Sequence, residues 1–273
     1  MYTYLYLNIV MNFSNFMIDN TLLHIAESKE DAIRLINEYG VNVVNSYGDT
    51  VLHYCNNIEI CRILIDNGAD VHATNTTGMT PLHFALDHEI ALELILNGAC
   101  VNKKANLGLT PLHMSIDSEV AMVLIEYGAD IDAIDNVGET PLHKFSNLSV
   151  MRLLVERGAC IDPVNNDGNT PLLLNCRRFN MGLFGSSKII RFLLDCGALS
   201  TSVDNLGLGI KDMNIHKAYV LVCMFQDHRT KNEMIILRNL DLKNYQERYI
   251  KNSYSKTITH DSEDIFRNII SYL

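Results

Sequence analysis

Threonine and histidine recur three residues apart along this chain, as Thr50 and His53, Thr80 and His83, Thr110 and His113, and Thr140 and His143. A hydroxyl beside an imidazole is the pairing that nucleophilic catalysis uses, with the ring as base. Five of the ten histidines, counting His24, hold this same position. A catalytic centre needs unlike groups converging on one pocket, and a regular series of like pairs supplies none. Each threonine also stands where a helix begins, so its hydroxyl is engaged as an N-cap for a free backbone N–H. No glycine-rich phosphate loop and no His-Glu-x-x-His occurs. The seven cysteines form no Cys-x-x-Cys pair, so neither a zinc cluster nor a disulfide framework is indicated. A reducing, cytoplasmic setting fits them. The expectation is a non-enzyme without metal or cofactor.

What positions these pairs is a repeat. Gly78-Met79-Thr80-Pro81-Leu82-His83 returns as Gly108 to His113 and Gly138 to His143, at a spacing of 30 residues. Gly48 to His53 precedes it in register, and Gly168-Asn169-Thr170-Pro171-Leu172-Leu173 follows. A second signal keeps phase with the first: Gly68-Ala69, Gly98-Ala99, Gly128-Ala129 and Gly158-Ala159. Pro81 suits a first helical position, where its missing N–H is no loss. His83 lies within reach of the Thr80 hydroxyl on one helix face. A second helix from Glu89 to Asn97 carries Ile90, Leu94 and Ile95 as its apolar stripe, and Gly98 stops it. Val101 to Leu107 then forms a turn-rich finger to the next unit.

Thr-Pro-Leu-His after a turn, followed by a helix closing in Gly-Ala, resembles the ankyrin repeat over roughly residues 20–210. The resemblance implies an all-α ankyrin-repeat solenoid of about six helix-turn-helix units, with residues 1–19 as an N-terminal cap or extension. The usual unit has about 33 residues, and these have 30. The shortage falls at Ala85 to Glu89, so one helix per unit is expected to lose nearly a turn. Asp87 and Asp117 should cap the second helices, with Glu89 and Glu119 at their positive ends. Compressed units of this kind resemble those of poxviral ankyrin proteins.

The end units depart from the pattern. The first, from Thr21-Leu22-Leu23-His24 to Gly40, is degenerate, as terminal repeats usually are. The unit from Thr170 reaches its Gly197-Ala198 nine residues late, and Arg177 to Ser187 is read as an inserted loop, either a binding element or a tolerated insertion. Met1 to Val10 is apolar but has no basic start, and Asn8, Asn12 and Asn15 interrupt it short of a membrane span. It is either a short helix or strand that caps the array, or little used because Met11 is the working start.

Residues 211–273 read as a small helical region. Its close, Asp261 to Leu273, sets Ile265, Phe266, Ile269, Ile270 and Leu273 on one apolar stripe. That helix resembles the opening of the F-box, or of the C-terminal domain of poxviral ankyrin proteins, whose apolar face docks on the Skp1 subunit of a cullin ubiquitin ligase. The usual leading Leu-Pro is absent, and the match covers only these 13 residues. Packing onto the array is the other reading of the same stripe.

A formal charge of −10 and a pI near 5.4 argue against nucleic acid, because phosphate recognition rests on Lys and Arg. The chain is therefore read as a monomer that binds another protein and neither nucleic acid nor membrane. The resemblance implies a concave binding face built from the residues before each threonine (Met79, Leu109, Glu139, Asn169) and after each histidine (Tyr54, Phe84, Met114, Lys144). Packing between repeats is the alternative for these positions. Within the poxviral resemblance the function is a host-range or immune-evasion factor that captures a host protein, with a ligase-adaptor role through the last helix. A passive decoy or structural scaffold is the rival.

Overall fold

The computed structural model describes residues 29–144, 147–180 and 186–210. The expected N-terminal cap, the Thr21–His24 opening and the whole helical region 211–273, with its Skp1-like stripe, lie outside the described residues. The chain divides into two compact units, 1–171 and 172–273, and the division falls where the unit opening at Thr170 begins.

The described part of unit one starts with α1 (Lys29–Tyr39) and then alternates short and long helices. The long ones are α2 (Ile58–Asp66), α4 (His88–Leu96), α6 (Ser118–Glu126) and α8 (Leu148–Glu156). The short ones are a single turn each: a 3-10 turn at Val51–Tyr54, α3 (Pro81–Phe84), α5 (Pro111–Met114) and α7 (Pro141–Lys144). The long helices pack on one another in order, the short turns do the same, and the core lies between these two rows. No extended strand forms among the described residues, which are helices, turns and isolated bridges. The all-α repeat architecture is thus the one that the ankyrin resemblance implied.

Local chemistry sets each boundary. Asp87 Oδ1 accepts the backbone N–H of Glu89 at 2.7 Å and of Ile90 at 3.3 Å, and Asp117 does the same for Glu119 and Val120. Asn57 and Asn147 take the same role for α2 and α8. At the other end Gly98, with φ +93°, gives its N–H to Ile95 O, and Ala99 gives its own to Leu94 O. That doubly bonded ending needs the left-handed residue that only glycine adopts cheaply. The alanine after it is buried. The apolar stripe of α4 is Ile90, Ala91 and Leu94, with Ile95 only half-buried. The leucines at 64, 94, 124 and 154 are completely enclosed, each contributing about 1.5–3 kcal/mol of apolar burial. Replacing Asp117 by Ala should cost about 1 kcal/mol in denaturant unfolding, the usual worth of an N-cap. An unchanged midpoint would show that water caps α6 equally well.

The shortening between the helices is real and drastic. The chain leaves the helical region at Ala85 (φ −61°, ψ 118°), straight after one turn. In unit two the corresponding helix, α9 (Pro171–Asn180), runs for 10 residues, against four in α3. This corrects the reading of Arg177 to Ser187 as loop. Arg177 to Asn180 extend α9, and Ser186 and Ser187 begin α10 (Ser186–Asp195). Leu172, Leu173 and Cys176 are buried along α9, so the extra turns have an apolar face that holds them helical. Arg177 also pairs with Asp204, whose Oδ1 accepts the backbone N–H groups of Leu206 and Leu208. A residue expected in a loop thereby holds unit two's finger.

Candidate protein-binding face of the repeats

The threonine–histidine pairs turn out to be the joints of unit one. Those at Thr50, Thr80 and Thr110 form capping boxes in which the imidazole replaces the usual carboxylate, and His143 Nδ1 likewise accepts the backbone N–H of Thr140. His83 Nδ1 accepts the backbone N–H of Thr80 at 3.1 Å and lies 2.9 Å from its hydroxyl. With Nδ1 accepting, the ring proton belongs on Nε2 and the hydroxyl donates to Nδ1. Nε2–H then reaches the next repeat, donating to Leu109 O at 3.1 Å. His53 to Met79 O, His113 to Glu139 O and His143 to Asn169 O repeat this bond, always across 26 residues. Burial holds His53, His83 and His113 below the usual histidine pKa, His83 down to about 4, although the carbonyl bonds oppose the shift. Neutral rings suit the single-proton geometry. The hydroxyl–imidazole contact was evident from the spacing; the bond to the next repeat was not.

The fingers are organised by a second side chain. Asn75 Oδ1 accepts the N–H groups of Thr77 and Met79, and Asp135, Asn165 and Asn45 do likewise in their own fingers. An Asn or Asp three residues before the glycine was the visible signal. Among the described fingers of unit one, only Ala105 departs from it. Neighbouring fingers are also laced together by Asn106 N–H to Thr77 O, Asn136 N–H to Leu107 O and Asn166 N–H to Val137 O.

Met79, Leu109 and Asn169 are buried, so the assignment of these three to an open concave face is corrected. Their carbonyls receive the histidine bonds, which draws the position before each threonine in between repeats. Met79, Ala105 and Leu109 form a core against which Phe84 and Met114 pack. Tyr54, Phe84 and Met114, by contrast, are only half-buried. The rings of Tyr54 and Phe84 lie 5.6 Å apart, and His53 meets Phe84 edge-on at 5.7 Å. The Tyr54 hydroxyl donates to Asp49 Oδ2 at 2.8 Å; burial, then that carboxylate, push the phenol up from its ordinary value.

The ladder ends in an ion cluster. Lys144 Nζ lies 2.8 Å from Asp135 Oδ2 and 2.6 Å from Glu139 Oε2, with Glu139 half-buried. Burial of the ammonium works against its charge, but the bonds to Asp135 and Glu139 outweigh that and raise its pKa. Among the described residues no group of His, Cys, Asp and Glu is placed to hold a metal ion, and no helix is long and apolar enough to cross a membrane.

Helix pairs stacked through histidine-to-carbonyl joints, with fingers between them, define a class of repeat protein built for protein–protein interaction. The family model for ankyrin repeats (3 copies) matches residues 4–75, 55–135 and 117–204, and the chain belongs to that family. Ankyrin repeats are generally non-catalytic binding scaffolds. No curated protein matches the chain.

Proposed function

We propose that this chain is a non-catalytic scaffold whose partner-facing surface is the ladder of Tyr54, Phe84 and Met114, closed at one end by Lys144 and Glu139. The observation that carries the reading is the partial exposure of three aromatic or sulfur side chains at the same position of successive single-turn helices. Such residues are enriched at the centres of protein interfaces, and holding them in fixed rotamers lowers the cost of binding. The setting is the host-cell cytoplasm or nucleus, and the role is that of a viral host-range or immune-evasion factor. The compressed 30-residue unit supports this reading. In it the repeats capture a host protein, and Ile265, Phe266, Ile269, Ile270 and Leu273 deliver it to Skp1 of a cullin ligase. A passive decoy or structural scaffold is favoured instead by the missing Leu-Pro before that stripe.

Phe84→Ala and Met114→Ala in the full chain should each weaken capture of the cellular partner by about tenfold or more, as hot-spot truncations do. Because both side chains pack on Met79 and Leu109, each change should also lower stability, by roughly 1–3 kcal/mol. Capture unaltered by either change would remove the ladder from the binding face. The ligase reading is tested apart from this one, with purified Skp1 and the full chain carrying Phe266→Asp. Skp1 that binds neither the parent chain nor the variant leaves the decoy.

A further inference from the structure

The charge of this protein is concentrated in the repeats of unit one. Residues 29–171 hold 20 Asp and Glu against eight Lys and Arg, a formal −12 in a chain of −10. The fingers sharpen the imbalance. From Asn45–Asp49, Asn75–Met79, Ala105–Leu109, Asp135–Glu139 and Asn165–Asn169 come four carboxylates (Asp49, Asp135, Glu139 and Asp167) and no lysine or arginine. The ladder's one cation, Lys144, already lies between two of those carboxylates. Lys103 and Lys104 precede the third finger, and the Lys104 ammonium is turned to Ile134 O at 2.8 Å. Beside this acidic framework stands exposed apolar surface. Tyr47, Leu107 and Val137 occupy three of the five fingertips, 55%, 48% and 45% exposed, in phase with Tyr54, Met114 and Lys144, while the polar Thr77 holds the tip in phase with Phe84.

Resting on the protein-binding reading, we infer that the occupant of this face is a basic amphipathic protein segment: one that sets an aliphatic or aromatic anchor on the Phe84–Met114 ladder and flanks it with arginine or lysine. Apolar contact supplies the affinity. The carboxylate excess speeds encounter and excludes acidic competitors, since charge across an interface governs on-rate and selectivity more than raw affinity. A second copy of this chain is disfavoured on the same ground, because two faces of like sign would repel.

The test is selection of a random-peptide display library on the full chain, with Phe84→Lys, Met114→Lys and Asp167→Lys variants as counter-targets. Met114→Lys can disturb the core beneath it, so a thermal melt accompanies each variant. Asp167 is exposed at a fingertip and its replacement leaves the core intact. The expected result is peptides enriched in Lys and Arg around an apolar anchor. They should lose about tenfold in affinity on Asp167→Lys and bind more weakly as salt rises. Ladder-dependent peptides of neutral or acidic composition would overturn the inference and leave the protein-binding reading standing. Binders that ignore Phe84→Lys, in a variant that melts normally, would overturn both. A dimer that dissociates on Phe84→Lys would make a second copy the occupant and overturn the basic-segment assignment.

Discussion

Gly108→Ala should destabilise unit one far more than Gly128→Ala, although both glycines have a positive φ, +78° and +89°. A methyl group at 128 meets nothing within 4 Å, so its cost is the left-handed backbone alone, roughly 1–2 kcal/mol. A methyl group at 108 would lie 2.5 Å from Asn136 Oδ1 and 2.7 Å from Asn136 N, against backbone that cannot swing aside. The same Asn136 N–H is the donor that laces this finger to its neighbour through Leu107 O. Relief of the clash breaks that bond, so a total near 3–4 kcal/mol is expected, a large share of an ordinary domain's stability. Urea denaturation of the two variants beside the parent measures it. Equal losses would show that the fingers yield, and that their close approach carries little energy.

The second large effect is acid sensitivity through the joint histidines. In the folded chain His53, His83 and His113 have pKa values depressed by burial, His83 to about 4 from an ordinary 6.5. Above pH 6.5 both folded and unfolded forms are neutral, and the rings impose no pH dependence. Below it the unfolded chain takes up protons that the folded chain refuses, so stability falls until the folded pKa is reached. For His83 alone the loss is about 1.4 kcal/mol by pH 5.5 and roughly 3 kcal/mol near pH 4. His53 and His113 add in the same direction. Much of this window lies above the usual carboxylate range, so the loss from pH 7 to 5.5 belongs chiefly to the imidazoles. Denaturant unfolding at pH 7.5, 6.5 and 5.5 checks it. A flat profile would mean that the folded rings take up protons as readily as free imidazoles, and that the buried joints do not hold them neutral.

Both effects lie at positions whose residue types stood out in the sequence, but whose partners did not. Asp87 and Asp117 were recognisable as caps because the helix they serve begins at the next residue. Gly98 was recognisable as a stop because the helix ends beside it. Local chemistry of that kind has a range of a few residues. The His83–Leu109 bond spans 26 residues and ends on a main-chain oxygen, which no side-chain pattern marks. For the same reason Met79 and Leu109 pass for finger surface. Residue type says that they are apolar, and only the neighbouring repeat decides whether they are covered. The Lys144–Asp135–Glu139 cluster joins Lys144 and Glu139, both assigned to the concave face, to Asp135 in the finger of Glu139, and no residue pattern marks that pairing. At Arg177 to Asn180 the glycines and serines downstream weighed too heavily, and the apolar face continuing through Leu173 and Cys176 weighed too little.

Because every histidine joint ends on a carbonyl of the main chain, the receiving residue has no prescribed identity. Methionine, leucine, glutamate and asparagine fill that place in four successive repeats. Any unit that brings its own threonine and histidine can make this bond to whatever follows it. A gene encoding such a chain can therefore gain or drop whole 30-residue blocks without a compensating change at the receiving side chain of this joint, and the packing of the fingers is what constrains the seam. Copy number becomes a heritable variable in its own right, and the width of the recognition surface changes with it one rung at a time.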